Sequence, residues 1–282
     1  HTFSIGAGYQ YNAPTAAVSF AAPEMNNDFA LNLKNERVLS TDFAYQYQSA
    51  RVHINLNAYY NAINNVTEWQ NFYFDDINSF SYVSITGGKK AYYGVEAALK
   101  YKVNSAFDIK LLGTVSEAKN TNDANVNYLN STQGVYNEDK LLNKDMRESG
   151  TPLTAASAIL SYHKKGWFID LAGNYYDRIY LGYSPYYRYK SVGEKRGNVD
   201  SNGNVLRLAQ EKGKGGFMLD ASIGKSIYLK KGSLSINLML TNVLNNQNIV
   251  TGGYEQSRSD FTASGNARAY KFSRNPKKYY AY

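Results

Sequence analysis

The sequence predicts an all-β fold: a transmembrane antiparallel up-and-down β-barrel, of which this chain is a part. Three observations predict it. Polar and apolar residues alternate with a period of two in one segment after another. The connections between these segments alternate between short turns and long polar loops. Tyrosine accounts for 27 of the 282 residues, and an apolar ring with a polar tip suits a boundary between lipid and water.

The composition excludes several other classes of protein. With 43% hydrophobic residues and a net charge of +8, the chain is not of a disordered type. It contains no cysteine, so it is neither a disulfide scaffold nor a thiolate metal protein. No apolar run approaches the ~18–20 residues that a membrane helix needs. The mean hydropathy of −0.50 is compatible with a barrel, because barrel strands are only half apolar.

The strand pattern is clearest in the segment 51–60. There, Val52, Ile54 and Leu56 share one face, while His53 and Asn55 share the other. Such segments are longer than the ~5–6 residues of a common globular strand and match the ~9–11 of a barrel strand. The predicted strands are 2–12, 36–47, 51–63, 89–102, 106–118, 151–162, 166–180, 215–229 and 232–244, with a tenth beginning near Lys278 and running to Tyr282.

The connections fall into two sets. Short turns lie near Gln48, Asn104, Lys164 and Lys231, and long polar segments lie between them. Strict sorting of this kind favours a membrane barrel over a β-sandwich. We expect the long loops outside the cell and the short turns in the periplasm. The predicted loops are 13–35, 64–88, 119–150, 181–214 and 246–277.

The alternation assigns each strand residue to lipid or to the barrel interior. Leu56, Leu111, Ile169 and Leu238 are predicted to face lipid. Asn55, Lys110, Asp170 and Asn237 are predicted to face inward. The apolar faces of these strands carry few charges, and Lys225 lies late in its strand, near the membrane interface. The pairs Tyr59-Tyr60, Tyr92-Tyr93 and Tyr175-Tyr176 are predicted to form an aromatic girdle.

Several stretches resemble a known family. The most specific is Asn242-Val243-Leu244-Asn245, which ends a predicted strand. It resembles the "N-L-F-N/D" signature that closes the penultimate strand of TonB-dependent outer-membrane receptors. The runs 151–156 and 216–226 support the resemblance, which covers residues 1–282. The Tyr- and Asn-rich style, with Gly252–Arg258, resembles receptors of Bacteroidetes-type bacteria.

The resemblance implies a location, a function and partners. Members have a 22-stranded barrel filled by an N-terminal plug, so residues 1–282 correspond to strands 13–21 and the start of strand 22. The plug and its TonB box are expected outside this sequence. The implied function is TonB-dependent uptake of a scarce siderophore, cobalamin, glycan or peptide across the outer membrane. Implied partners are the TonB complex through the plug, outer-membrane lipid and lipopolysaccharide, the solute, and a surface lipoprotein. A non-transporting structural or adhesive barrel and a soluble secreted β-protein are the alternatives.

Four loop residues are predicted to contact the solute: Tyr187, Arg188, Tyr254 and Arg258. Tyrosine rings offer a large contact area at low entropic cost, and arginine binds anionic groups bidentately. The alternative is that the basic-aromatic run 183–190 belongs to the girdle or packs loops together. Stacking of nucleic-acid bases is disfavoured, because the positive charge is spread over the chain.

No cofactor, metal or catalytic residue is expected. His1, His53 and His163 lack the spacing of metal ligands. The carboxylates of loop 119–150 allow a calcium site, although a solvated loop explains them as well. No nucleophile or phosphate-binding motif is present in the sequence, so an enzyme is not predicted.

Overall fold

The computed structural model describes residues 1–74, 79–130, 135–182 and 185–251. These ranges form eleven strands and two short helices. The strands are β1 Thr2–Asn12, β2 Glu36–Gln48, β3 Val52–Phe74, β4 Ser79–Lys102, β5 Phe107–Asn120, β6 Ala124–Asn130, β7 Val135–Leu141, β8 Pro152–Lys164, β9 Trp167–Ile179, β10 Gly216–Leu229 and β11 Gly232–Leu240. The helices are α1 Ala16–Ser19 and α2 Lys190–Lys195.

Nine of the strands form one open antiparallel sheet in the order β1-β2-β3-β4-β5-β8-β9-β10-β11. Each strand pairs with its sequence neighbour, except that β5 pairs with β8 across the β6–β7 hairpin. These nine correspond to the nine predicted strands, which confirms the all-β, up-and-down, partial-barrel fold. The predicted tenth strand lies outside the described residues, and the numbering 13–21 within a whole barrel stays a prediction.

The two faces of the sheet differ in chemistry, as the alternation predicts. On one face, Ser157 donates a hydrogen bond to Asn174 at 2.7 Å, and Asn174 donates to Asp220 at 2.8 Å. Asp170 and Asn237 share this polar face, where they accept hydrogen bonds from Ser161 and Ser222. The opposite face is an apolar belt open to the surroundings. It includes Leu56, Val95, Leu111, Val115, Leu160, Ile169, Leu171, Ile223 and Leu238, all of them exposed. Because a soluble protein rarely exposes so large an apolar surface, this face is suited to lipid.

The predicted aromatic girdle is half right. Tyr60 and Tyr93 are cross-strand partners on the apolar face, and their rings stack at 6.1 Å. Tyr59 and Tyr92 have the opposite phase and point to the polar side, where Tyr92 donates to Glu148 at 3.2 Å. Since adjacent strand residues face opposite ways, only one tyrosine of each pair can join the girdle.

The predicted loop 64–88 is largely a strand extension, which is a correction. β3 and β4 continue pairing to residues 74 and 79. A bulge at Asn65, with φ of 60°, separates the extension from the part with the apolar belt. Bulges increase twist and bend the strand, so the extension can incline over the other loops.

The predicted loop 119–150 is also partly regular structure. β6 pairs with β7 and with the β4 extension, so this hairpin enlarges the sheet beyond the belt. Residues of this hairpin, of the β4 extension and of the segment 189–192 form the largest buried cluster of the described part of the chain. The cluster comprises Val83, Ile85, Ala124, Val126, Leu141, Tyr189 and Val192. The apolar core therefore lies at the loop end of the sheet, while the belt stays exposed.

Two further features concern the helices and the end of the last described strand. The helices α1 and α2 span only four and six residues, too short to produce a helical apolar stripe. No helix in the described ranges is long and apolar enough to cross a membrane. The predicted strand 232–244 ends at Leu240, because Asn242 has a φ of 50° and donates its backbone N–H to Asp220 at 2.8 Å. The Asn242–Asn245 motif is thus a turn that closes the strand.

Candidate functional site

A polar cavity of about 340 Å³ lies at the loop end of the sheet. It is bounded by the β3–β4 extension, the segment before β8 and the segment between β9 and β10. The lining residues are Glu68, Trp69, Gln70, Lys90, Asn120, Asn143, Met146, Arg147, Glu148, Ser149, Gly182, Arg188 and Gln210. Five of these side chains are charged, so the cavity is suited to a polar or ionic ligand rather than an apolar one.

Lys90 is the electrostatic centre of this cavity. Its ammonium contacts the carboxylates of Glu68 and of Glu148, the latter at 2.8 Å. Its side chain is only 13% exposed. Burial alone would lower the pKa of Lys90, but the charge of Glu68 and the hydrogen bond with Glu148 raise the pKa above its ordinary value. The ion triad therefore joins the β3–β4 extension to the segment that precedes β8.

Arg188 lies deeper and closes the cavity from the long loop 181–214. A 3₁₀ turn at Pro185–Arg188 carries it, and its guanidinium donates to the amide oxygen of Asn143. The Met146 sulfur lies 3.9 Å from the same nitrogen. Burial lowers the pKa of Arg188 to about 10, so the group remains cationic at neutral pH.

Backbone hydrogen bonds hold Arg188 in this position. The N–H of Leu142 donates to the carbonyl of Arg188 at 2.9 Å, and Leu141 forms a β-bridge with Tyr189. Gln210 completes the wall by exchanging two hydrogen bonds of 2.8 Å with the backbone of Arg147. Three separate stretches of loop are thus fixed around one cavity.

The four predicted contact residues are placed differently. Arg188 lines the cavity. Tyr187 packs edge-on against Tyr186 at 5.4 Å, and the guanidinium of Arg196 lies 5.1 Å from its ring. Tyr254 and Arg258 lie outside the described residues. Solute contact by these residues stays a prediction.

The girdle interpretation of the run 183–190 is wrong for Tyr189. This side chain is 2% exposed and stacks on Tyr128 at 5.2 Å, inside the loop-end core. Tyr186 packs against the same cluster. The alternative of loop-to-loop packing therefore describes these two tyrosines.

Sequence reasoning missed Glu68, Lys90 and Glu148. The three are separated by up to 80 positions, and only the strand extension and the fold of loop 119–150 bring them together. The sequence offered one indication of the site: Lys90 lies at an inward-facing position of its strand. Nothing in the sequence pairs it with carboxylates from two predicted loops.

Two carboxylates of the predicted calcium alternative, Asp123 and Asp139, form hydrogen bonds with protein groups. Asp123 accepts hydrogen bonds from both terminal nitrogens of Arg207, one of them at 2.6 Å. Asp139 accepts from the Ser191 hydroxyl at 2.6 Å. Within the described ranges, no group of three His, Cys, Asp or Glu residues is placed to hold a metal ion.

The arrangement is suited to binding. It offers three cationic side chains, two carboxylates and the amides of Asn120, Asn143 and Gln210 around one water-accessible space. A solute with both acceptor and donor groups fits such a lining.

Comparisons with known proteins point to one family. The family model described as TonB-dependent receptor-like, β-barrel matches residues 1–243. Among solved structures, the copper transporter OprC is similar with 14% identity and a TM-score of 0.56, and the FrpB iron transporter from Neisseria meningitidis (F3-3 variant) with 17% and 0.51. Each match covers 86% of this chain but only 31% and 32%, respectively, of those chains. At such identities the likeness is one of fold alone. A comparison with curated protein sequences gives no match.

Proposed function

Because the chain belongs to the TonB-dependent receptor-like β-barrel family, we propose that it forms part of an outer-membrane receptor that takes up a scarce solute. The observation that carries the proposal is the family match over residues 1–243. The faces of the sheet support it, since an apolar belt suits lipid and a polar opposite face suits a plugged, hydrated interior.

The loop end is proposed to be the extracellular side. Long loops collect on that side in barrels of this kind, and the short turns lie in the periplasm. The cavity around Lys90 and Arg188 would then open toward the medium. It would contribute to the vestibule where the solute first binds.

The solute is proposed to be polar and able to interact with both charges. Lys90 and Arg188 can bind carboxylate or phosphate groups, while Glu68 and Glu148 can accept hydrogen bonds. A siderophore, cobalamin, a glycan and a peptide all carry polar groups that accept or donate hydrogen bonds. The role is one of binding and transport, without an enzymatic step.

Energy for uptake is proposed to come from the TonB complex, acting through a plug domain. Lipid and lipopolysaccharide would surround the barrel wall, and a surface lipoprotein would cover the loops. Nucleic acid is not among the proposed partners.

The test is solute accumulation by cells that carry the full-length receptor, compared with cells lacking it and with cells lacking TonB. Four labelled probes would be used: a ferric siderophore, cobalamin, an oligosaccharide and an oligopeptide. We expect one probe to accumulate only when both receptor and TonB are present. Equal accumulation of all four in the three strains would contradict the proposal and favour a structural or adhesive barrel.

A further inference from the structure

Cations lie at both ends of the inward face of β4 and β5. Lys90 is at the loop end of β4, beside the polar cavity, and Lys100 is near the short turn that joins β4 to β5. The two lysines are ten residues apart and share the inward phase of the strand. At ~3.3 Å per residue they are separated by ~33 Å along the strand, close to the ~30 Å thickness of the hydrocarbon core. The two sets of cations therefore lie near opposite surfaces of the membrane.

The charged side chains around the cavity leave an excess of positive charge. The lining contains three cations and two carboxylates: Lys90, Arg147 and Arg188 with Glu68 and Glu148. Glu117 lies beside Arg147, but it also binds Arg178, each at 2.8 Å, so this further pair leaves the excess unchanged. A solute that enters the cavity with one negative charge would neutralise the excess.

Arg188 is placed to contact that negative charge. The ammonium of Lys90 is already compensated by Glu68 and Glu148. Arg188 lies deeper, where its guanidinium donates a hydrogen bond to the amide oxygen of Asn143. A cation at that depth has lost much of its hydration, so its attraction to an anion is screened less than at an open surface. Arginine also presents a planar fork of donors that matches a carboxylate or a phosphate group.

The second set of cations is not explained by the stability of the sheet. Lys100 and Lys110 are direct cross-strand partners, and His53 occupies the next position of the same row on β3. Like charges directly opposite each other destabilise a strand pair. Within the part of the chain that the structure describes, neither lysine forms an ion pair. An anion on the inward side would relieve the repulsion, so this row is suited to receive one.

The wall between the two sets is recessed and polar. A depression of about 380 Å³ lies there against the inward face. Its lining includes the small side chains of Ala98 and Thr114 and the amides of Asn55, Asn57 and Asn174. Amide and hydroxyl groups can donate hydrogen bonds to an anion, whereas Glu96 contributes a carboxylate that repels it. The depression is therefore suited to the passage of an anion rather than to its tight binding.

We propose that the receptor takes up an anionic solute, whose carboxylate or phosphate group binds at Arg188 and then passes to Lys100 and Lys110 at the periplasmic end. The inference rests on the proposed function and narrows it, because a solute without an acidic group would leave both sets of cations uncompensated. The two sets have different roles. Arg188 determines the affinity at the outer surface, whereas the lysine pair assists movement through the barrel.

The first test is binding of inorganic phosphate to the full-length receptor, purified in a neutral detergent and measured by phosphorus magnetic resonance. The variant is Arg188→Gln with Lys100→Gln and Lys110→Gln. The control removes the same charge from the same two ends of the sheet but away from the inward wall: Lys190→Gln with Lys164→Gln and Lys231→Gln, all of them exposed. The variant is expected to bind phosphate about tenfold or more weakly, because it loses charge-assisted hydrogen bonds. The control should bind like the wild type.

The second test separates the two roles. In the uptake assay, the probe that accumulates is offered with its acidic groups free and with those groups converted to amides. We expect the acidic form to accumulate about tenfold or more faster than the amide at low concentration. Arg188→Gln should raise the concentration needed for half-maximal uptake of the acidic form, and Arg188→Lys should restore part of that loss. Lys100→Gln with Lys110→Gln should lower the maximal rate and leave binding at the cell surface unchanged.

Heat-modifiable gel migration would confirm that each protein is folded. Equal binding of phosphate by the triple variant and its control would overturn the inference. TonB-dependent accumulation of an amide form, or of a probe without acidic groups, at the rate of the acidic form would overturn it too and leave the proposed function intact. Accumulation that does not depend on TonB would contradict the proposed function, and the inference with it.

Discussion

Leu111 and Leu112 are adjacent on β5 and equally exposed, at 44% each, yet they face opposite sides of the sheet. Leu111 pairs with Leu99 on the apolar belt, whereas Leu112 pairs with Ser157 on the polar face. Because their exposure is equal, a difference between the effects of substitutions at the two positions would reflect the surroundings rather than the extent of burial.

Arginine at these two positions should have different effects on stability. Leu111→Arg should lower the free energy of unfolding by about 2–4 kcal/mol, because a cation near the bilayer midplane loses its hydration. Leu112→Arg should lower it by less than about 1 kcal/mol, because the polar interior can solvate the charge. The measurement is urea unfolding of the full-length receptor in lipid vesicles. Equal losses at both positions would mean that the two faces do not divide lipid from water.

Lys90→Gln should loosen the junction between the β3–β4 extension and the segment before β8. Glu68 and Glu148 would lose their shared cation and would repel each other, which we expect to weaken the junction by about 1–3 kcal/mol. Hydrogen exchange of backbone amides at 66–70 and 146–149 measures this effect. Lys190→Gln is the matched control, since its 3.5 Å pair with Glu194 is 56% and 51% exposed and contributes about 0.5 kcal/mol or less. Unchanged protection in the Lys90 variant would show that the triad does not hold the junction.

The docking of segment 199–207 should weaken in acid. Burial alone would raise the pKa of Asp123, but the hydrogen bonds from Arg207 and from the Lys144 backbone lower it overall. A lowered carboxyl pKa stabilises the folded loops above the ordinary value of ~3.9 and loses that contribution as the pH falls through the folded-state pKa. Pulsed hydrogen exchange between pH 7 and pH 3 should therefore show 199–207 opening at the acid end. In the Asp123→Asn variant, hydrogen exchange of the segment should show the same degree of opening at pH 7 and at pH 3. If the variant instead showed the pH dependence of the wild type, the effect of acid would belong to another group.

The four-residue variant with Tyr187, Arg188, Tyr254 and Arg258 changed to Ala should reduce solute uptake at matched membrane abundance. We expect a loss of about tenfold or more, because deleting a charged hydrogen-bond partner alone contributes about 1.5–3 kcal/mol. The control variant replaces Tyr228, Lys230 and Lys231 by Ala at a short turn on the opposite end. Wild-type uptake by the four-residue variant would remove these residues from the binding site and leave the transporter proposal intact.

The sequence predicted the part of the fold that meets lipid and missed the part that does not. Within the belt, one face must be apolar, so the alternation around Leu56 or Leu111 can be recognised in the sequence. Beyond the bulge at Asn65, both faces of the β3–β4 extension are covered by protein, and the alternation disappears. Ser84 and Thr86 are buried there beside Val83 and Ile85. A polar strand of that kind is indistinguishable from a loop by periodicity.

The candidate site was only partly predictable for the same reason. Arg188 was identified because aromatic and basic residues cluster around it in the sequence. Its neighbours Lys90 and Glu148 depend on long-range pairing in the region that the alternation could not describe. Charge on the inward phase marks Lys90 as facing the interior, but not which carboxylates it contacts.

The most direct test of the central claim is the solvent accessibility of Asn55 and Leu56 in the intact receptor. The sequence contains no cysteine, so single cysteines at 55 and 56 can carry a spin label once any cysteine outside this segment is removed. Electron paramagnetic resonance in vesicles would compare relaxation by lipid-soluble oxygen and by a water-soluble nickel complex. The account predicts that the label at 56 responds mainly to oxygen and the label at 55 mainly to nickel. If neither label responded to oxygen or to the nickel complex, as in a dry interior between two sheets, the result would contradict the barrel.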